Sequence, residues 1–333
     1  MLLSVIIPTK NRIKTLKGTI MSLLDQSLDK KFYEIIVMDQ STDPKVKEFI
    51  DGLEETKIFK IRYIYNKIPG LHSNRNIGVK KAKGNIIIFV DDDVIVDKNY
   101  LKAICDSFKN DSNIALMTGK VLPLYEKDEV PEWVNFFWQD NSWGKYIWEI
   151  SLLNAGDKYK DIPPNLIFGC NFIVRKGIFL KYKGTYPDVF PKGMFKYSGS
   201  GETLLAYKVK KDNLRIVYNP AVILNHVVSK ERLTPQYFYN RNYIMGIQQS
   251  YDDIRKTTRK MPLKQVLRDL YILFKNVLII IFKFYNKPNR INFICSIYRF
   301  KGKVQHKCWV IRDKKLFEYI LRDNYFDDGM EFL

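Results

Sequence analysis

The chain lacks the features that mark secreted, disulfide-bonded or membrane-spanning proteins. Its first residues, MLLSVIIPTKN, contain an apolar run that is too short for a signal peptide and that ends at once in Pro8. The uninterrupted apolar stretch from Val277 to Phe282 is far shorter than the ~20 residues that a membrane-spanning helix needs. No CxxC spacing occurs among the four cysteines, Cys105, Cys170, Cys295 and Cys308. We therefore expect a cytoplasmic protein with reduced, mostly buried thiols.

Several familiar binding motifs are also missing. No Walker-type GK[ST] loop occurs, and the GSGE segment lacks the third glycine and the preceding strand of a dinucleotide-binding loop. No known nucleic-acid reader motif is present, so a nucleic-acid partner is not expected. Neither internal repeats nor a low-complexity linker interrupt the chain.

The composition is that of a globular protein with an uneven charge distribution. Of the 333 residues, 46% are hydrophobic and 14% aromatic, enough for one large α/β domain with an appendage or for two domains. The formal net charge is +19. Residues 255–315 contain seventeen Lys and Arg but two acids, and so carry most of this excess. This distribution predicts a catalytic or binding core with a basic C-terminal segment.

Apolar strands and helical segments alternate along the first 120 residues. LLSVIIP, YEIIVMD, KIRYIYN and NIIIFV are typical of buried strands, and amphipathic or short helical segments lie between them. Such alternation favours a mostly parallel sheet covered on both faces, whose ligands bind beyond the carboxyl ends of the strands. The later chain returns to strand and helix in NLIFGCNFIVRKGIF, GSGETLLAYKV and LRIVYNPAVILNHVV.

Three consecutive carboxylates, Asp91 to Asp93, follow the fourth strand. Two charges in close contact repel by ~4 kcal/mol at an effective dielectric near 20. Strand alternation would place Asp91 and Asp93 on one face and Asp92 on the other. A hard divalent cation, Mg²⁺ or Mn²⁺, would neutralise the remaining charge and could hold a phosphorylated ligand. A solvated acidic turn with Asp97 as a helix cap is the alternative.

Four motifs in fixed order resemble a known family. SVIIPTKNR, IIVMDQSTD, SNRNIG and FVDDD together resemble the family 2 inverting glycosyltransferases, which have the GT-A fold. The resemblance runs from about Leu3 to about Gly246. It implies a catalytic domain over residues 1–246, with a nucleotide-sugar half (1–118) and an acceptor half (119–246). Residues 247–333 would form a basic, amphipathic helical region.

The resemblance also implies roles for residues of the first half. Pro8, Thr9 and Asn11 match the segment that lines the nucleotide pocket, and Asp39 matches the acid that hydrogen-bonds the base. Arg75 matches an arginine near the nucleotide. Asp91 and Asp93 match the DxD pair, whose first member faces the ribose and whose second holds the metal. Asp92 occupies the variable position between them. The alternative for Asp39 is an aspartate that forms a turn, and the alternative for Arg75 is an exposed charge on a helix.

In the second half, GSGETLLAYKV resembles the segment in which a Glu-Asp pair opens a helix. Glu202 aligns with the general base, and Gly201 then stands in place of the first acid. The alternative for Glu202 is an acid at a helix start that is favoured by the helix dipole. His226 matches a histidine near the metal or diphosphate, with a structural histidine as the alternative. Arg241 matches an arginine beside the donor phosphates, with a solvated charge as the alternative. Three further residues are expected on the acceptor side, Asn171, Arg175 and Trp143, and core packing is the alternative for Trp143.

The implied activity is metal-dependent transfer of a sugar, with Mn²⁺ or Mg²⁺, from a nucleoside-diphosphate donor to a glycan or lipid-linked acceptor. The implied leaving group is the diphosphate of a UDP-sugar. From Pro262 a basic amphipathic helix is expected, which would dock residues 255–315 on an anionic membrane surface, pack on the catalytic domain or form a dimer contact. A catalytically decayed, membrane-associated scaffold is the competing function, and a nucleotidyltransferase is a third class.

Overall fold

The structure, a computed structural model, describes residues 1–55, 61–126, 129–191, 193–256, 267–268 and 287–326. Within these ranges, the helices are α1 (Ile13–Leu24), α2 (Lys45–Glu55), α3 (Leu71–Lys81), α4 (Tyr100–Asn110), α5 (Glu132–Asn135), α6 (Lys176–Lys181), α7 (Gly201–Lys211), α8 (Pro235–Lys256), α9 (Lys287–Arg312) and α10 (Lys314–Leu321). The strands are β1 (Leu3–Thr9), β2 (Tyr33–Asp39), β3 (Ile61–Tyr65), β4 (Ile86–Phe89), β5 (Val94–Val96), β6 (Ile114–Tyr125), β7 (Gln139–Asn141), β8 (Gly144–Ile147), β9 (Leu152–Asn154), β10 (Lys160–Asp161), β11 (Phe172–Arg175) and β12 (Arg215–Val228).

The strands form one sheet in the order β3-β2-β1-β4-β11-β6-β9-β8-β7, with β12 beside β6 and both β5 and β10 beside β12. The first four strands are parallel, as expected. The second half is mixed, because β11 enters antiparallel between β4 and β6, while β12 runs parallel to β6. The expectation of a mostly parallel sheet therefore holds for the first half of the molecule only.

Strands β1, β2 and β4 lie in the interior because most of their residues are apolar on both faces, whereas β3, at the edge of the sheet, is only partly buried. Every residue of β1 and β4 is buried, and helices α1 to α4 cover the sheet beside them. Parallel strands end at a common edge, and Thr9 pairs with Asp39 in the register of β1 and β2. The turn that follows β4 therefore brings Asp91 to Asp93 to the same edge.

The C-terminal helices α9 and α10 pack on α8 and on the segment before α7. Helix α9 crosses α8 where Gly246 faces the backbone of Arg299 and Gly302 faces that of Tyr243. The expected domain boundary at residue 246 falls inside α8, which continues to Lys256. A second, smaller core joins α8, α9 and α10 to the segment before α7 through Tyr186, Tyr251, Leu316 and other apolar residues.

The amphipathic helix expected from Pro262 lies almost wholly outside the described residues. Residues 287–326, which belong to the same basic region, pack against α8 and its neighbours, one of the three arrangements that the sequence left open. Within the part of the chain that the structure describes, no helix combines the length and the apolar character needed to cross a membrane.

Candidate active site

The turn after β4 directs its three aspartates differently from a strand. Strand β4 ends at Phe89 and β5 begins at Val94, so Asp91 to Asp93 lie in a turn and do not alternate between two faces. Asp92 and Asp93 share one cation: Arg12 Nη1 lies 2.6 Å from Asp92 Oδ1, and its Nη2 lies 2.6 Å from Asp93 Oδ2. The strand alternation expected to place Asp91 and Asp93 on one face is therefore absent, because a turn replaces the strand.

Asp92 is buried beneath the rim of the sheet. The Thr9 hydroxyl donates a hydrogen bond of 2.7 Å to its second oxygen. Burial raises the pKa of Asp92 to about 7, although Arg12 and Thr9 act in the opposite direction. The expected contribution of Thr9 and Asp92 to one site is thus visible as a direct contact between them.

Asp93 lies at the centre of a basic cluster. Besides Arg12, Arg232 Nη2 lies 2.7 Å from its Oδ2, and His226 Nε2 lies 3.4 Å from its Oδ1. Burial alone would raise the pKa of Asp93, but the Arg232 and Arg12 guanidinium groups hold it below the usual range of a carboxyl group. Asp93 is therefore a carboxylate anion at neutral pH.

The neighbours of His226 determine how its ring is used. The Ile150 carbonyl lies 3.0 Å from Nδ1 and can only accept, so Nδ1 carries the proton. Nε2 then accepts from Arg232 Nη1 at 2.9 Å, so its single lone pair is directed to that guanidinium group. Nε2 carries no proton, which is the form that binds a metal ion, but a metal ion at this atom would take the place of Arg232.

These donors fit a divalent cation that is bound in part by its ligand. Asp93 Oδ1 is buried and has no hydrogen-bond partner among the described residues, and His226 Nε2 is its neighbour. No group of three or more His, Cys, Asp or Glu side chains that could hold a metal occurs within the described ranges. Mg²⁺ commonly takes one or two protein carboxylates and completes its coordination shell with phosphate oxygens and water.

Arg75 forms a second centre of charge. The side chain projects from α3 and is 1% exposed. Its Nη1 lies 3.1 Å from Asp188 Oδ2 and 3.0 Å from Glu202 Oε2, while Nη2 lies 3.6 Å from Asp91. Burial alone would lower the pKa of Arg75, but Glu202, Asp188 and Asp91 raise it above its usual value. Asp91 is thus paired with Arg75, and it also lies close enough to Asp93 and Arg12 for their charges to act on one another.

Two cavities of about 360 Å³ each meet at this point. The rim cavity is lined by Pro8, Thr9, Arg12, Asp92, His226 and Arg232 together with other residues. The Glu202 cavity is lined by Arg75, Asp188, Glu202, Asp252 and one face of α8 together with other residues. Asp91 and Arg241 line both cavities. The arrangement can hold a charged group in the rim cavity within reach of a molecule that lies beside Glu202.

Two of the residues expected near the nucleotide lie beneath or beside the rim cavity. Asp39 is buried and accepts hydrogen bonds from the Ser41 amide at 2.8 Å and the Tyr63 hydroxyl at 2.9 Å. Asn11 has a φ of 55°, and its side-chain oxygen accepts from the Thr42 amide. The structure therefore brings both to the sheet edge, with their polar groups engaged by neighbouring loops.

Arg241 projects from α8 towards both cavities. Its Nε is buried without a hydrogen-bond partner among the residues that the structure describes. A buried guanidinium nitrogen without a partner is costly to maintain, which favours a ligand anion beside Arg241.

Three residues expected on the acceptor side do not line either cavity. Asn171 is fully buried, accepts a hydrogen bond of 2.8 Å from the Tyr100 hydroxyl and donates one to the Lys120 carbonyl. Arg175 donates to the backbone carbonyls of Ile114 and Asp111. Trp143 is 42% exposed in the turn between β7 and β8. The structure thus gives Asn171 and Arg175 internal bonding roles and leaves Trp143 at the surface.

Sequence reasoning missed three charged residues of the site, Arg12, Asp188 and Arg232. Arg12 closes the quoted segment SVIIPTKNR, so its position at the end of the first strand was the available signal. Asp188 and Arg232 lie in irregular segments, and no pattern in the sequence singles them out.

A family model described as Glycosyl transferase family 2 matches residues 4–182. The poly(ribitol-phosphate) beta-N-acetylglucosaminyltransferase TarS of Staphylococcus aureus is 28% identical over 119 residues, which are 35% of this chain and 21% of that protein. This match therefore spans about a fifth of the relative's length. The glucosyl-dolichyl phosphate glucuronosyltransferase of Haloferax volcanii is 19% identical over 273 residues, 79% of this chain and 80% of that protein.

Among solved structures, the mannosyltransferase PcManGT from Pyrobaculum calidifontis, in complex with GDP-Man and Mn²⁺, aligns with a TM-score of 0.60 and 14% identity. The alignment covers 92% of this chain and 87% of that chain, and confirms the expected GT-A fold. Since the family model matches more than half of its residues, the chain belongs to glycosyl transferase family 2.

Proposed function

We propose that the protein is an inverting glycosyltransferase that moves a sugar from a nucleoside-diphosphate donor to a hydroxyl group of a glycan or lipid-linked acceptor. One observation carries this proposal: the cavity at the aspartate rim and the cavity that contains Glu202 share Asp91 and Arg241 as common walls. A donor in the first cavity and an acceptor in the second would meet at that shared wall. The solved mannosyltransferase with the same fold binds a nucleotide-sugar and Mn²⁺, which supports this class of donor.

The donor would lie in the rim cavity with its nucleoside towards Pro8 to Asn11 and Asp39. Its diphosphate would face Arg12, Arg232 and Arg241, whose positive charges complement phosphate oxygens. Asp93 Oδ1 and His226 Nε2 would hold Mn²⁺ or Mg²⁺, and Asp91 would face the ribose. The cation would supply Lewis-acid stabilisation of the negative charge that develops on the leaving diphosphate.

Glu202 would act as the general base. It opens α7, lines the second cavity and is oriented by Arg75 at 3.0 Å. As the acceptor oxygen forms its bond to the anomeric carbon, the bond from that carbon to the diphosphate oxygen breaks, and the Glu202 carboxylate takes the hydroxyl proton. Attack from the side opposite the leaving group inverts the anomeric configuration.

The experiment is a donor panel with the purified chain. UDP- and GDP-sugars are supplied with Mn²⁺, and release of the nucleoside diphosphate is measured with and without saccharide acceptors. We expect turnover of at least one donor, and a loss of about 10²-fold or more in kcat in both Asp93→Asn and Glu202→Gln. Asp157→Asn, which alters an exposed ion pair with Lys120, is the matched control and should keep full activity. Equal turnover by Asp93→Asn and wild type would refute the proposal.

One observation favours a second candidate, a decayed family member that binds its ligand without catalysis. Gly201 stands where the family has the first acid of its Glu-Asp pair. Calorimetry with a nucleoside diphosphate distinguishes the candidates when it is combined with the donor panel, because the scaffold would bind the diphosphate and turn over no donor.

Docking of the basic region 255–315 on an anionic membrane stays a prediction, and so does the peripheral location that it implies. Both accord with a lipid-linked acceptor.

A further inference from the structure

The residue before Glu202 has no side chain, and a carboxylate from elsewhere occupies the space. Gly201 opens α7 with a φ of 42°, a left-handed conformation that favours glycine. A Cβ added to Gly201 would overlap Asp188 Oδ2, with no other group between them. The Asp188 carboxylate therefore lies where a side chain at position 201 would begin.

Asp188 and Glu202 bind the same atom. Their oxygens lie 3.1 Å and 3.0 Å from Arg75 Nη1, and all three side chains are largely shielded from solvent. An arginine buried this deeply needs its charge balanced, because an uncompensated buried charge costs several kcal/mol. Asp188 supplies part of that balance, so Glu202 is not the sole close counter-ion at Nη1.

The backbone around Asp188 is built to keep it there. The Gly199 amide donates to the Pro187 carbonyl at 2.7 Å, and the Tyr186 amide donates to the Gly201 carbonyl at 3.4 Å. Val189, the next residue, has a φ of 41°, which is strained for a β-branched side chain. Strain of this kind persists where surrounding contacts enforce a position.

We infer that Asp188 is a positioning residue for Glu202, a second carboxylate that reaches Arg75 from the segment before α7 and occupies the space left by Gly201. This inference rests on the proposed function, in which Glu202 is the base. With Asp188 present, Arg75 orients Glu202 while its charge is shared among Glu202, Asp188 and Asp91. Without Asp188, Glu202 would be the carboxylate that remains at Nη1, would balance a larger share of the charge of Arg75 and would be less ready to accept a proton from the acceptor.

A relocation experiment tests this role. Asp188→Asn removes the charge and keeps the shape, and we expect kcat to fall at least about ten-fold while the KM for the donor changes little. Asp188→Ala combined with Gly201→Asp moves the carboxylate to α7, and this double variant should recover most of the lost kcat. Gly201→Asp alone places two carboxylates in one space and should be less active than the double variant.

The controls separate positioning from folding. Asp212→Asn removes a carboxylate at the other end of α7, bonded to Tyr182 and Lys181, and should leave kcat unchanged. Thermal melting is measured for every variant. If Asp188→Asn does not fold at the assay temperature, the comparison of Gly201→Asp with the double variant decides, since the inference requires the double variant to be the more active.

The outcomes also distinguish this inference from the proposed function. A wild-type chain that turns over no donor overturns both. An active wild type with an Asp188→Asn variant of equal kcat overturns only the role of Asp188, as does a double variant no more active than Gly201→Asp alone. Loss in Asp188→Asn with recovery in the double variant supports both.

Discussion

At the scale of single residues, the Arg12 guanidinium group balances the charge of two buried carboxylates. Its side chain is 42% exposed, while those of Asp92 and Asp93 are at most 4% exposed. The ion pairs therefore lie at the boundary between solvent and protein interior, where screening reduces their strength. A divalent cation at Asp93 would perform the same neutralisation, so Arg12 and the cation act on one negative charge.

Replacing Arg12 should expose this relation. We expect Arg12→Gln to lower the free energy of unfolding by about 1–2 kcal/mol, because Asp93 then keeps only Arg232 and His226 as partners. Mn²⁺ should stabilise this variant more than wild type, since the cation replaces a missing charge. Denaturant unfolding with and without Mn²⁺ measures both effects.

The control for this prediction is Lys47→Gln, which removes an exposed ion pair with Asp51 one helical turn away. Its unfolding free energy should change by less than about 0.5 kcal/mol, and its response to Mn²⁺ should equal that of wild type. An equal increment from Mn²⁺ in Arg12→Gln and wild type would contradict a shared role of Arg12 and the cation.

The sequence predicts a site residue where that residue lies at the end of a recognisable strand or at the start of a recognisable helix. Thr9 and Asp91 to Asp93 lie at or just after the end of a strand, so the sequence pattern places them near one edge, whereas Glu202 is assigned through the family resemblance of GSGETLLAYKV. Arg232 and Asp188 contact partners 139 and 113 residues away in the chain. Such contacts depend on how irregular segments fold over the sheet, and local sequence carries no information about that.

At the scale of helices and strands, length and burial determined what could be predicted. Strands β1 to β4 and helices α1, α3, α4 and α7 have continuous apolar or periodic patterns and were placed correctly. Strands β7 to β10 have two to four residues each, too few for a period, so the sequence does not predict them. The mixed second half of the sheet depends on the antiparallel entry of β11, and the apolar pattern of a strand does not reveal its direction. The four residues between β4 and β5 form a turn that interrupts the apparent strand, so the three aspartates do not alternate as expected.

The crossing of α8 and α9 offers a test at this scale. A Cβ at Gly246 would overlap the Arg299 carbonyl oxygen, and backbone cannot move aside as a flexible side chain could. We expect Gly246→Ala to cost about 2 kcal/mol or more of unfolding free energy, although alanine has the better helix propensity by ~1 kcal/mol. Denaturant or thermal unfolding measures the change.

Gly52 in α2 is the matched control. No described atom lies within 4 Å of a Cβ built there, so Gly52→Ala should stabilise the protein by about 0.5–1 kcal/mol through propensity alone. If both substitutions stabilise the chain, α9 does not pack on α8 as closely as the structure shows.

At the scale of the whole molecule, His306 on α9 joins the C-terminal helices to α8 and to the segment before α7. Its Nε2 lies 3.0 Å from the Lys196 carbonyl, which can only accept, so Nε2 carries the proton. Nδ1 then accepts from the Ser250 hydroxyl at 2.8 Å. Lys196 lies in the segment that leads to Glu202, and Ser250 lies on α8. Burial lowers the pKa of His306 to about 4, with the nearby Lys307 acting in the same direction.

This histidine should make the stability of the fold depend on pH. Between pH 4 and about 6.5 the unfolded chain binds a proton at His306 and the folded chain does not, so the unfolding free energy falls as the pH is lowered through this range. The difference in pKa corresponds to about 3 kcal/mol, present in full above pH 6.5 and lost by pH 4. Asp252, whose pKa burial raises to about 7, acts in the opposite direction, so wild type alone cannot reveal the effect.

A comparison with His306→Gln isolates the contribution of His306, because Gln can keep one donor and one acceptor but does not titrate. The difference in unfolding free energy between wild type and variant should be largest above pH 6.5 and should shrink by about 3 kcal/mol towards pH 4, while the contribution of Asp252 cancels. Denaturant unfolding at half-unit steps of pH measures this difference. Parallel curves for the two proteins would show that His306 is not buried in neutral form. The C-terminal helices would then not be joined to α8 and the segment before α7 through this residue.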